Sequence, residues 1–255
     1  MAGQILLLDV GNSRLKWAWL AGEDFEAGGE LSHTGRIDPE TQLRAEGMSH
    51  PEQIIAACVA GAAMETSVQA WMTRQYHQSV TFLSSPAQGC GVINRYSNPA
   101  SLGIDRWAAM VAARHSYSGD LLVVDAGSAI TLDIIRGDGQ HLGGYILPGL
   151  GLMRAALQGS TDLKIDMDIE SVKPDTSPGN STVSCIQHGI LMAVCSLIEA
   201  SLSQLEKRRG ETVQCIMTGG DHQLIAAGLN IPSYAEPLLV LQGLARIARS
   251  TESMQ

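Results

Sequence analysis

A chain of 255 residues is long enough for one large domain or for two domains that each bury a core. Acidic residues outnumber basic ones by 26 to 17, and no basic run exceeds Lys207-Arg208-Arg209, so we expect no nucleic-acid partner. The five cysteines are scattered without a CxxC pair, which predicts neither a disulfide framework nor a zinc site.

The first residues of the chain do not have the pattern of a signal peptide. It lacks a basic region, and Asp9 interrupts its short apolar run, so a signal peptide is not predicted. No stretch of 18 consecutive apolar residues occurs elsewhere. We therefore expect a cytoplasmic protein without a membrane partner.

The first half of the chain alternates predicted strands and helices, which favours an α/β fold with a central mixed sheet. Apolar side chains at helical spacing over residues 99–115 place Asp105 and Arg106 at or near the start of a helix. The other predicted elements are strands at 4–10 and 15–20, a buried strand at 53–60, a helix over about 64–76 and a short strand at 79–83.

The second half begins with another strand–turn–strand, at residues 121–135, so two similar halves are expected to meet near residue 116. Further predicted elements are a glycine-rich strand ending at Pro148 with a helix after it, a polar loop over 159–182, an amphipathic helix over about 183–206, a strand and glycine turn over 213–221, and a last helix over about 237–249.

Two Asp-x-Gly turns, beginning at Asp9 and at Asp125, follow apolar strands in the two halves. The glycine lets the backbone approach a ligand closely, and successive amide N–H groups in such a turn form an anion site. The carboxylate at the strand end can orient a hydrated Mg²⁺. Ser13 and Ser128 offer hydroxyl donors for phosphate oxygens, and Lys16 offers a positive charge.

One such turn alone is ordinarily a hairpin turn, because Asp and Gly favour turns for local reasons. Two of them, each ending an apolar strand in a different half, shift the balance towards a phosphate site. A third glycine turn, Thr218-Gly219-Gly220-Asp221, adds backbone that can lie against a flat ring such as adenine. This combination resembles the superfamily of acetate and sugar kinases, heat-shock ATPases and actin. The resemblance implies two similar ribonuclease H-like domains with mixed central sheets and an ATP cleft between them.

Further motifs make the resemblance more specific, because together they resemble those of the type III pantothenate kinase family. This resemblance extends in order along the chain from residue 5 to about residue 245. It implies ATP-dependent phosphorylation of pantothenate, the first step towards coenzyme A. It also implies a homodimer with the substrate pocket at the interface. From the repeated turn we expect domains at 1–116 and 117–255, or a last helix that packs back on the first domain. The motifs are DVGNS (9–13) with Lys16, GIDR (103–106), DAGSAIT (125–131), GGYILPG (143–149), and Thr182 seven residues before Gly189.

The resemblance also assigns roles to single residues. Asp105 matches the general base, Asp125 a ligand of a monovalent cation (K⁺ or NH₄⁺), and Asp9 a carboxylate that holds Mg²⁺ through water. The expected ATP-binding residues are Asp9, Val10, Gly11, Asn12, Ser13, Arg14, Leu15, Lys16 and Ser128. The expected substrate-binding residues are Tyr96, Gly103, Ile104, Asp105, Arg106 and Thr182. The family usually has threonine where this chain has Ser13 and Ser128, a change that keeps the hydroxyl and removes a methyl group.

Other interpretations remain at this point. The chain could phosphorylate another small acid or sugar, or it could be a non-catalytic nucleotide-binding accessory protein. The second alternative predicts a lost base or a broken phosphate turn, whereas Asp9, Lys16, Asp105 and Asp125 are all present. Taken singly, Asp105 and Arg106 also fit an ordinary helix start, and Tyr96 a half-buried aromatic residue. A plain α/β domain would need several ordered coincidences.

Overall fold

The computed structural model of the protein describes residues 3–37, 50–160 and 174–252. The chain forms two compact units. The first contains the residues up to Ser116 together with those from Leu238 onward, and the second is Tyr117–Pro237. The last helix therefore belongs to the first unit, although it follows the second unit in sequence.

The first unit is built around a five-stranded mixed sheet with the order β3-β2-β1-β4-β5. Strands β1, β2 and β3 are antiparallel neighbours, whereas β4 and β5 run parallel to β1. The strands are β1 (Gln4–Val10), β2 (Arg14–Ala21), β3 (Asp24–Ser32), β4 (Gln53–Cys58) and β5 (Val80–Phe82); a small hairpin of β6 (Gln88–Gly89) and β7 (Val92–Ile93) lies outside the sheet. The helices are α1 (Ala62–Tyr76), α2 (Ile104–Ser116) and α6 (Leu239–Glu252).

The second unit repeats the same topology, with the strand order β10-β9-β8-β11-β12. Again three antiparallel strands are followed by two parallel ones, so β8 corresponds to β1 and β11 to β4. The prediction of two similar ribonuclease H-like α/β units with mixed sheets is confirmed. The elements are β8 (Asp120–Ala126), β9 (Ala129–Ile135), β10 (His141–Pro148), α3 (Leu150–Ser160), α4 (Thr182–Arg209), β11 (Val213–Thr218), α5 (His222–Gly228) and β12 (Tyr234–Ala235).

Each unit has its own apolar core. In the first, β1 is buried on both faces, and the rings of Trp19 and Tyr76 meet edge to face with centroids 6.2 Å apart. In the second, α4 covers the sheet with a stripe that includes Leu191, Val194 and Ile198. By length and composition α4 could also cross a membrane, a test that the core helix of a soluble protein passes as well.

Several elements differ from the sequence predictions. The helix expected over 99–115 is a 3-10 turn at Pro99–Ser101 and then α2 from Ile104, so Asp105 is the second residue of α2. The loop expected over 159–182 lies partly outside the described residues; within the described part, Ser160 ends α3, and residues 174–181 form neither helix nor strand. Elements that were not predicted are β3, the β6–β7 hairpin, α5 and β12.

Candidate active site

The first Asp-x-Gly turn is a tight hairpin between β1 and β2. The N–H of Gly11 donates to the carbonyl of Arg14 at 2.9 Å, and a Cβ on Gly11 would lie 3.3 Å from that oxygen. Asp9 and Lys16 occupy paired positions on the two strands, so their side chains project from the same face of the sheet. The turn thus places a carboxylate and an ammonium group at the base of an exposed loop.

The end of β4 lies beside this turn, because β1 and β4 are parallel and their carboxyl ends coincide. The N–H of Val59 donates to the carbonyl of Val10 at 3.1 Å. Burial raises the pKa of the Cys58 thiol, and the carboxylates of Glu65 and Asp9 raise it further, against a backbone hydrogen bond with Ala60 that lowers it. The thiol next to the first turn is therefore neutral near pH 7.

The second Asp-x-Gly turn connects β8 and β9 and is held by a glycine from a later segment. The N–H of Gly127 donates to the carbonyl of Ala129, and the N–H of Gly149 donates to that of Ser128, each at 3.0 Å. A Cβ on Gly149 would lie 2.7 Å from the Ser128 carbonyl oxygen. The GGYILPG motif thus ends directly against the turn, in an approach that only glycine permits.

The third glycine turn, after β11, packs on the second Asp-x-Gly turn. Gly219 has a φ of +89°, and a Cβ there would lie 2.5 Å from Oδ1 of Asp125. The N–H of Asp221 donates to the carbonyl of Ala126 at 2.9 Å. The second unit therefore brings together three of the sequence motifs, although 11 residues separate the first motif from the second and 68 residues separate the second from the third. Asp125 is half-buried among them, and Ser128 is exposed.

The GIDR segment forms the start of α2 and fixes the carboxylate of Asp105. Oδ1 of Asp105 accepts the backbone N–H of Arg106 at 2.8 Å. A Cβ on Gly103 would lie 2.5 Å from the same oxygen, so the glycine leaves room for the carboxylate to fold back over the helix start. Asp105 itself is half-buried. The result is an oriented carboxylate at a helix N-terminus, where negative charge is stabilised.

Arg106 is buried, with 7% of its surface exposed, and it contacts Tyr96. Its Nη1 donates to the Tyr96 hydroxyl at 3.0 Å, and its Cζ lies 5.8 Å from the centre of the ring. A planar guanidinium held in this way can present further N–H donors to a carboxylate or phosphate. The structure therefore joins two of the predicted substrate-binding residues, and Tyr96 is half-buried in a loop.

Asn94 shapes this segment, and the sequence analysis did not identify it. Its Nδ2 donates to the carbonyls of Pro86 and Pro99, each at 3.1 Å, and its Oδ1 accepts the N–H of Tyr96 at 2.9 Å. The side chain is buried and links three segments of the loop. Nothing in the sequence distinguishes it from other loop asparagines, because its partners are backbone groups.

Thr182 is the first residue of α4 and is exposed. The preceding residue, Ser181, is the N-cap, and its hydroxyl accepts the N–H of Ser184 at 3.2 Å in a capping box. Asp9–Lys16, Tyr96 and residues 103–106 thus lie in the first unit, whereas Asp125, Ser128 and Thr182 lie in the second.

No three His, Cys, Asp or Glu side chains form a metal-binding cluster within residues 3–37, 50–160 and 174–252. A bound Mg²⁺ usually keeps several waters and takes one or two carboxylates together with substrate phosphates. Asp9, near the end of β1, is a carboxylate of the kind that such an ion takes.

Each unit has the same sheet topology and carries an Asp-x-Gly turn that begins near the end of its first strand. Two solved structures share the fold. One, described as a Baf family transcriptional activator from Campylobacter jejuni, has a TM-score of 0.63 at 23% identity and covers 97% of this chain and 99% of its own. The other, described as a 2-dehydro-3-deoxygalactonokinase from Sinorhizobium meliloti, has a TM-score of 0.58 at 15% identity, with the same coverages.

The sequence comparisons are more specific. The type III pantothenate kinase family profile matches residues 5–204. A type III pantothenate kinase from Laribacter hongkongensis is 37% identical over 251 residues, which cover 96% of this chain and 98% of the relative. The chain belongs to the type III pantothenate kinase family. It is thus a kinase, and the non-catalytic alternative is not favoured.

Proposed function

We propose that the chain transfers the γ-phosphoryl group of ATP to the primary hydroxyl of pantothenate, with Asp105 as the general base. Family membership provides the reaction, which is ATP-dependent phosphorylation of pantothenate in coenzyme A biosynthesis. The observation that supports the base is the half-buried carboxylate at the start of α2, oriented by the N–H of Arg106. The two structural units are, in this proposal, the two domains of the kinase.

Phosphoryl transfer depends on positioning and on neutralising charge more than on a strong base. Asp105 accepts the hydroxyl proton late in the transfer, when the oxygen–phosphorus bond is already forming.

We assign ATP binding to the phosphate loop, defined as Asp9–Lys16, and to Ser128. The amide groups and Ser13 of the loop donate to phosphate oxygens, and Lys16 adds a positive charge. Asp9 would hold Mg²⁺ through a water, and the ion, when bound, would neutralise charge on the phosphates. Asp125 is assigned to a monovalent cation, K⁺ or NH₄⁺, since its half-buried carboxylate lies against Gly219 at the second turn.

We assign pantothenate binding to Arg106, Tyr96 and Thr182, with backbone contacts from Gly103 and Ile104. Arg106 offers the planar fork that suits the carboxylate of pantothenate, and the hydrogen bond to Tyr96 restricts its motion. Thr182 offers an exposed hydroxyl at the N-terminus of α4.

We further propose that the protein is a cytoplasmic homodimer. Large apolar side chains are exposed on β10, α3 and α4 of the second unit, a pattern typical of a protein–protein interface. They are Tyr145, Ile146, Leu152, Leu157 and Met192. Sedimentation of the wild-type protein beside an Ile146→Asp variant tests this point: a dimer that the variant dissociates supports it, and a wild-type monomer refutes it.

The test of the catalytic assignment is ATP consumption by the purified protein with pantothenate, with and without K⁺. An Asp105→Asn variant should lose about 10²- to 10⁴-fold in kcat while it still binds ATP. Asp24→Asn is the matched control, because Asp24 is an exposed carboxylate in the same unit, at the start of β3. An Asp105→Asn enzyme as fast as the control would refute the assignment.

A further inference from the structure

His33, just after β3, is bonded to the phosphate loop through both its backbone and its ring. Its backbone N–H donates to the carbonyl of Ser13 at 3.0 Å. Its ring Nε2 lies 3.0 Å from the carbonyl oxygen of Gly11, 22 residues earlier in the chain. The N–H of Gly35 points at the other ring nitrogen, Nδ1, at 3.3 Å. No role was assigned to this histidine from the sequence.

These partners indicate which ring nitrogen carries the proton when both hydrogen bonds form. A carbonyl oxygen only accepts hydrogen bonds, so Nε2 must carry a proton towards Gly11. A backbone N–H only donates, so Nδ1 must have a free lone pair towards Gly35. Both contacts are made together only by the neutral imidazole with its proton on Nε2.

The bonds from His33 determine which way two peptide groups of the phosphate loop face. In a trans peptide the C=O of one residue and the N–H of the next point in opposite directions. With the carbonyls of Gly11 and Ser13 directed at His33, the N–H groups of Asn12 and Arg14 must point away from it. These N–H groups belong to the exposed part of the turn.

We propose that His33 is a positioning residue of the phosphate loop, whose neutral ring holds the Gly11–Asn12 peptide so that the Asn12 N–H faces the ATP phosphates. The inference rests on the proposed role of Asp9–Lys16 in binding ATP. The histidine touches neither substrate in this scheme. It acts by fixing in advance a donor that would otherwise have to be oriented when ATP binds.

Two amide variants separate the ring contacts. In His33→Gln the side-chain amide nitrogen reaches about the place of Nε2 and can still donate to Gly11. In His33→Asn the amide oxygen takes about the place of Nδ1, which keeps the Gly35 contact and loses the Gly11 contact. The two variants are polar, similar in size and identical in charge, so each is a control for the other.

The experiment measures kcat and both KM values, with the Kd of ATP in the absence of pantothenate. We expect His33→Asn to raise the KM and Kd for ATP by about three- to tenfold, the usual worth of one hydrogen bond. Its KM for pantothenate should stay within about twofold of wild type, because residues 103–106 are unchanged. His33→Gln should restore most of the ATP affinity.

A Lys16→Met variant tests the loop itself. If Lys16→Met weakens ATP binding but both His33 variants bind ATP as wild type does, the role of His33 is refuted while the loop assignment stands. If Asn and Gln variants lose ATP affinity, pantothenate affinity and thermal stability to the same degree, His33 is merely structural and the proposal is wrong. If Lys16→Met also leaves ATP binding unchanged, the loop assignment itself has failed.

Discussion

At the scale of single residues, the Asn94 side chain makes three hydrogen bonds to backbone groups around Tyr96. Asn94→Ala removes all three of these hydrogen bonds, although the carbonyl of Pro99 still accepts the N–H of Leu102 at 3.1 Å. We expect the loop to loosen and Tyr96 to release Arg106, which raises the KM for pantothenate by about tenfold. The KM for ATP should not change, and steady-state kinetics with each substrate varied in turn measures both.

Asn98→Ala is the matched control for this variant. Asn98 lies in the same loop and is exposed, and its side chain does not cap the 3-10 helix that follows it. Equal KM values for pantothenate in the two alanine variants would mean that the Asn94 bonds do not position the substrate site. If Asn94→Ala raised the KM for ATP instead, the Asn94 hydrogen bonds would support the nucleotide site rather than the substrate site.

The sequence identifies residues at this scale only where a motif is local. The pairs Asp9–Lys16 and Asp105–Arg106 are visible because each lies within one short segment of the chain. Gly219 was visible as part of a glycine turn, but the sequence does not reveal that the backbone of Ala126 and the carboxylate of Asp125 leave no room for a side chain there. Asn94 and His33 likewise bond to backbone groups whose positions the sequence does not reveal.

At the scale of elements, the position of α2 depends on a close approach by α6. A Cβ on Gly243 of α6 would lie 2.5 Å from the carbonyl carbon of Ala108 and 2.9 Å from its Cα. Gly243→Ala must therefore push the helices apart, although alanine is the better helix former. We expect a loss of about 1–3 kcal/mol in the free energy of unfolding, as overpacking usually costs. Urea denaturation followed by circular dichroism measures it.

Gly189 of α4 provides the control, because a Cβ there would meet nothing within 4 Å. Gly189→Ala should leave stability unchanged or raise it by up to about 1 kcal/mol. We also expect Gly243→Ala to lower kcat, since Asp105 is at the start of the displaced α2. Equal free energies of unfolding for the two alanine variants would show that α6 can shift away from α2 without loss of stability.

Elements were predictable where apolar spacing alone determines them. The strands β1, β2, β8 and β9 follow from their apolar runs and turns. The edge strand β3 was missed because it is polar and contains Gly28 and Gly29. A Cβ at Gly29 would lie 2.9 Å from the Trp17 ring, so here the indole of the neighbouring strand takes the space of a side chain. The elements α5 and β12 have only seven and two residues, so they are too short to show a periodic spacing of apolar residues.

At the scale of the whole molecule, the repeated Asp-x-Gly turn predicted two similar halves, and both sheets have the same strand order. What the sequence did not determine is the unit to which the last helix belongs. Helical spacing predicts an amphipathic helix, but it does not say which apolar surface the helix covers. The chain enters the second unit at Tyr117 and leaves it at Pro237. The Tyr117 hydroxyl donates to Glu236 at 2.6 Å, so a hydrogen bond joins the two ends of the unit.

This arrangement makes the first unit discontinuous, so its folding depends on residues that are synthesised after the second unit. Helix α6 contributes Leu239, Leu241 and Leu244 to the buried interior of that unit. A chain that ends at Pro237 keeps every proposed ATP- and pantothenate-binding residue but uncovers α2, whose nine residues Ile104–Ala113 other than Asp105 are buried. We expect this truncated chain to lose the cooperative unfolding of the first unit and all kinase activity. A chain that ends at Glu252 should retain both, and circular dichroism melts with the ATP assay compare them. Activity in the shorter chain would mean that α2 holds Asp105 in place without α6, and that the last helix is an accessory to the kinase rather than part of it.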